Sequence, residues 1–85
     1  MGVWRARLLR PARNYLERLS PDERNRILDA LEQLIKDPET ADLRKLQGRA
    51  EWRLRVGNKR VLLIPDRLQR VMVVTRIGPS GDIYK

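Results

Sequence analysis

The chain has 85 residues, no histidine, no cysteine and 19 Lys and Arg against 11 Asp and Glu, a formal charge of +8. That length makes one small domain with a thin core, and the charge points to nucleic acid, an anionic membrane or an acidic protein as partner. Without cysteine or histidine there is no disulfide framework, no thiolate metal site and no Ser-His or Cys-His nucleophile, so catalysis would rest on Arg, Lys, Tyr, Asp or Glu.

Val3 to Leu9 mixes apolar residues and arginines in rough alternation and reads as a first strand. Ala12, Leu16 and Leu19 recur at helical spacing and predict a helix from about Pro11 to Leu19. Ser20-Pro21-Asp22-Glu23 is a capping-box start for a second helix, with Ile27, Leu31, Leu34 and Ile35 as its apolar stripe and Asp37-Pro38 as its end. Pro38 to Gly48 reads as a connecting segment. Three strands are expected next: Glu51 to Val56, Lys59 to Ile64 closed by Pro65-Asp66, and Val71 to Ile77. A Gly-Pro-Ser-Gly loop and a short tail follow. The order β-α-α-β-β-β predicts an α+β domain spanning residues 1–85, a small mainly antiparallel sheet with a two-helix hairpin packed on one face.

The most informative stretch is Trp52 to Arg60. Trp52-Arg53-Leu54-Arg55-Val56 alternates with the period of a half-buried strand, and Gly57-Asn58 is a two-residue hairpin signal. With that turn, Val56 faces Lys59, Arg55 faces Arg60, and Arg53, Arg55 and Arg60 share a face. Like charges opposed on a sheet are destabilising, and phosphate is the anion that best suits several guanidinium forks. From Arg44 to Arg60 there are seven basic residues (Arg44, Lys45, Arg49, Arg53, Arg55, Lys59, Arg60) against one acid, Glu51. The positive field is therefore expected on the sheet side, away from the helices. The competing reading is a solvated face of edge-protecting cations. Tyr84 reads either as an amphipathic aromatic at a sheet edge or as a proton acceptor among arginines, whose charge favours the phenolate. Trp52 alternates with the arginines, so it is expected in the core rather than as a base-stacking platform.

Lys45-Leu46-Gln47-Gly48, then Trp52 to Val61, then Arg76-Ile77-Gly78-Pro79-Ser80-Gly81-Asp82-Ile83-Tyr84-Lys85 resemble, in that order and spacing, the RelE branch of the RelE/ParE toxin superfamily. The resemblance covers nearly the whole chain. It implies a RelE-like toxin of a type II toxin–antitoxin pair. Such a toxin is a cytoplasmic endoribonuclease that enters the ribosomal A site and cleaves mRNA by attack of a 2′-OH on its own 3′ phosphate, blocking translation. It implies catalytic roles for Arg53, Arg55, Arg60 and Tyr84. With these go RNA contacts by Arg44, Lys45, Arg49, Lys59 and Arg76, no cofactor and no metal. The partners implied are the ribosome, mRNA and an acidic antitoxin, and no membrane. The toxin would be a monomer when free and heteromeric with its antitoxin. Members of this type carry a further arginine in the loop before the tyrosine, where this chain has Ser80. That departure implies weakened activity and keeps open a non-catalytic module that binds RNA or antitoxin. A ParE-like gyrase inhibitor is the other reading that shares the fold.

Overall fold

The computed structural model describes residues 4–81. The order is β1 (Arg5–Leu8), α1 (Arg10–Arg18), α2 (Pro21–Lys36), β2 (Leu43–Lys45), β3 (Trp52–Val56), β4 (Lys59–Asp66) and β5 (Val71–Pro79). The strands form one five-stranded sheet in the order β1-β5-β4-β3-β2. All neighbours are antiparallel except β1 and β5, which run parallel: the two helices carry the chain from β1 to the far edge at β2, and β3 and β4 bring it back to β5 beside β1. The expected α+β architecture is present.

Both helices begin where the sequence places their signals. Pro11 sits in the first turn of α1, where a missing N–H costs nothing. Ser20 caps α2, its Oγ accepting from the Glu23 amide at 3.3 Å, with Pro21 next to it and Asp22 and Glu23 in the first turn. The hairpin is locked by one side chain. Arg24 of α2 donates from Nε to the Leu16 carbonyl (3.1 Å) and from Nη2 to the carbonyls of Leu19 (3.0 Å) and Glu17 (3.5 Å). It thus adds a charged donor to carbonyls at the end of α1, where the Leu16 carbonyl also accepts the Leu19 amide. Ala12 and Leu16 of α1 and Ile27, Leu31 and Leu34 of α2 pack on Leu54, Val56, Val61, Leu63, Met72, Val74 and Ile77 of the sheet.

Two features differ from the expectation. The Pro38–Gly48 connection contains a strand, β2, that adds an edge by pairing Leu43, Arg44 and Lys45 with Leu54, Arg53 and Trp52. Three residues leave too little alternation for a strand to be read from sequence. Strand β4 also runs through Pro65 rather than stopping before it. Its ladder with β3 ends at the Trp52–Leu63 pair, so Pro65 and Asp66 pair with β5 alone.

A β-bulge sets the phase of β5. Val74 pairs with Leu63 and Arg76 with Leu62, so Thr75 is the extra residue. Met72 and Val74 face the helices. Strict alternation would send residue 76 inward and residue 77 outward. The bulge shifts the phase by one, so Ile77 enters the core and Arg76 faces the open side. The Thr75 hydroxyl is at hydrogen-bonding distance from both the Leu62 carbonyl and Glu51 Oε2, 3.2 Å each. Arg49 holds the other carboxylate oxygen, with Nη2 at 2.8 Å and Nε at 3.0 Å from Oε1.

Replacing Arg24 with Ala should cost about 1–3 kcal/mol, because carbonyls of α1 lose a charged donor. Thr75→Val, close in shape but without the hydroxyl, should cost about 1 kcal/mol and lower the melting temperature by roughly 4–8 °C. Thermal unfolding followed by circular dichroism measures both, and an unchanged midpoint for Thr75→Val would show that the bulge holds without its side-chain anchor.

Candidate nucleic-acid interface

The alternation of β3 divides its side chains cleanly. Leu54 and Val56 are buried against the helices and Trp52 packs at the margin of that core, while Arg53 and Arg55 take the other face. The hairpin turn supports this register. Gly57 has φ +59°, while Asn58 stays at negative φ, the type II′ pattern that glycine at the first turn position permits. Arg55 then lies directly opposite Arg60, as the sequence predicts, and Val56 opposite Lys59.

Two rows result on the open face. One runs Arg44, Arg53, Leu62, Arg76 across four strands, and the adjacent one runs Arg55, Arg60, Gly78 across three. Leu62 is fully buried yet stands apart from the helix-side core. Its cross-strand neighbours are Arg53 and Arg76. The parity of β1 places Arg5 and Arg7 on the same face, beside Val71 and Val73.

The guanidinium groups are not equivalent. Arg60 Nη1 donates to the carbonyls of Lys59 (2.9 Å) and Gly57 (3.3 Å), which fixes its head at the turn. Arg55 is exposed and has no hydrogen bond or ion pair among the described residues. Arg53 Nε is buried and lacks an acceptor among them. An orphaned donor out of water costs about 1–3 kcal/mol, and a ligand oxygen would relieve that cost.

The remaining cations divide by geometry. Arg44 and Arg76 are on the open face, Arg44 beside Asp42 at 3.7 Å in an exposed pair. Arg49 is committed to Glu51. Lys45 and Lys59 pair with Trp52 and Val56, so their positions belong to the helix side, and Lys45 Nζ donates to the Arg49 carbonyl. Ser80 is exposed at the hairpin end, its amide donating to the Asn58 carbonyl at 3.1 Å. Tyr84 lies outside the described residues. Glu51 and Thr75 were not singled out from sequence. Their signal is a lone acid within a basic run and a hydroxyl where the alternation of β5 breaks. Among the described residues no cluster of His, Cys, Asp or Glu could hold a metal ion.

No family model matches the sequence, and no curated protein matches it either. Solved structures do match. The chain superposes on a RelE–RelB complex from Pyrococcus horikoshii with a TM-score of 0.79 and 23% identity, covering 95% of this chain and 99% of that one. A RelBE toxin–antitoxin complex from Mycobacterium tuberculosis gives 0.76 and 20% over 92% and 99%. The isolated RelE toxin of E. coli gives 0.76 and 14% over 95% and 90%. At such low identity this likeness concerns the backbone over more than nine-tenths of the chain: the chain has the RelE toxin fold.

Proposed function

We propose that this chain is the toxin of a toxin–antitoxin pair and that it cleaves mRNA on the ribosome. The observation that supports this most is the pair of arginine rows on the open face of a RelE fold, with one buried donor lacking an acceptor. Cleavage needs little beyond charge. The 2′-oxygen attacks the adjacent phosphorus, a new P–O bond forms as the bond to the 5′-oxygen breaks, and negative charge grows on the non-bridging oxygens. Arg55 and Arg60 face each other across the hairpin and would clamp those oxygens, with Arg53 in the adjacent row adding positive charge. This group acts electrostatically, through charge and directed N–H donors. Tyr84 is assigned the proton of the 2′-OH, and the leaving 5′-oxygen takes a proton from water to become a 5′-OH, leaving a 2′,3′-cyclic phosphate. The same face suits an acidic antitoxin segment, and solved neighbours in Pyrococcus and Mycobacterium are complexes with antitoxins.

A second reading is a non-catalytic form that binds RNA or antitoxin. It is favoured by Ser80, an uncharged, exposed side chain at the hairpin end of the arginine face.

Mapping mRNA ends on translating ribosomes separates them. Arg55→Ala should lower cleavage by about a hundred- to a thousandfold, the usual effect of removing one oxyanion donor. Ser80→Arg should raise cleavage, and adding Tyr84→Phe should abolish the gain. Intact mRNA with every variant, together with loss of gyrase supercoiling, would sink the nuclease reading in favour of a gyrase inhibitor.

A further inference from the structure

Strand β1 pairs with β5 only from Val71 to Val74, so the outer edge of β5 beyond Val74 has no strand beside it. Helix α1 crosses there. Its Pro11, Asn14, Tyr15 and Arg18 repeat at i, i+3, i+4 and i+7, one helical face, next to the face that buries Ala12 and Leu16. With Arg76 and Ile77 of β5 they line a cleft of about 290 Å³. Glu17, the one carboxylate of α1, does not line it. Among the described residues, Asn14, Tyr15, Arg18 and Arg76 make no side-chain hydrogen bond and no ion pair.

Arg76 connects this cleft to the arginine rows. It stands opposite Leu62, which stands opposite Arg53, so the cleft opens about two strand spacings, roughly 10 Å, from Arg53. The cleft is thus a separate group of unpaired polar side chains at the margin of the candidate site. Its chemistry is that of single-stranded RNA recognition: guanidinium forks for a phosphate, an aromatic ring for a base, and an amide with both donor and acceptor for a base edge.

We infer that the α1–β5 cleft holds the nucleotide next to the one bound at Arg53, Arg55 and Arg60. Arg18 and Arg76 bracket its phosphate, and Tyr15 and Asn14 meet its base. This rests on the RNA reading above, and the test keeps the two apart. Binding of labelled oligoribonucleotides, lengthened one nucleotide at a time, is followed by fluorescence anisotropy across a salt series. Arg18→Ala should leave the shortest binders unaffected and weaken the longer ones about tenfold, the scale of one charged hydrogen-bonded contact. It should also flatten the slope of log affinity against log salt by about 0.7, the value for one phosphate on a single strand. Asn14→Ala should weaken the longer binders less and leave the slope intact, since no charge is lost. Arg55→Ala should weaken every length.

Arg18 and Asn14 are exposed, so these variants are expected to fold, and circular dichroism checks it. If Arg55→Ala weakens binding while Arg18→Ala changes neither affinity nor slope, the cleft assignment is overturned and the RNA reading stands. If neither variant matters, the RNA reading itself fails. An equal loss from Lys36→Ala, at the far end of α2, would replace the local contact with a general effect of net charge and overturn the cleft as well.

Discussion

The two-residue period of the sheet, reset once at Thr75, is the constraint on which the rest of the molecule depends. It sends Leu54, Val56, Val61, Leu63, Met72, Val74 and Ile77 to the helices, and Arg53, Arg55, Arg60 and Arg76 to the other side. Without the bulge the end of β5 would invert: a guanidinium would enter the core and an isoleucine would face solvent. Burying that charge unpaired would cost several kcal/mol. The Glu51–Thr75 contact therefore links fold to surface chemistry. It pins the irregularity that keeps both faces consistent, and it draws Arg49 away from the arginine rows.

The open face is built against its own electrostatics. Arg55 and Arg60, directly opposed across the hairpin, are like charges whose repulsion destabilises the free sheet. A fully buried Val or Leu, such as Val61, Leu63 or Val74, contributes about 1.5–3 kcal/mol in the opposite direction. The core beneath the helices can thus sustain the repulsion above, though with little to spare in so small a domain. An anion seated between Arg55 and Arg60 reverses the sign of that term. The orphaned Arg53 donor adds to the asymmetry, because the free protein bears its desolvation and a bound oxygen removes it.

Much of this was legible in the sequence, for local reasons. The hairpin announced itself through strict alternation and a Gly-Asn turn, and the helices through a Ser-Pro start and a recurring apolar stripe. What was hidden depends on partners distant in sequence. Strand β2 exists because β3 offers an edge, not because Leu43-Arg44-Lys45 favours a strand. Arg49 looks like another cation until Glu51 is seen to hold it. Lys45 and Lys59 belong to the same basic run as Arg53 and Arg55, yet parity puts them on the helix side. Charge counted along a chain gives its sign, and only register assigns it to a face.

Register also bears on Ser80. Along β5 the open-face positions are Arg76 and Gly78, and Ser80 follows at the hairpin end. Cationic charge from β5 is therefore confined to the row of Arg53, while at the turn Arg55 and Arg60 act without a third guanidinium from that strand. Binding a phosphate needs charge nearby, which two opposed arginines and a buried Nε supply. Stabilising a phosphorane-like transition state needs donors aimed at each oxygen as charge develops there. A serine in that place leaves the first requirement largely met and weakens the second. On the proposed reading, a serine at that position separates affinity from rate, so RNA binding can stay strong in a chain whose cleavage is slow.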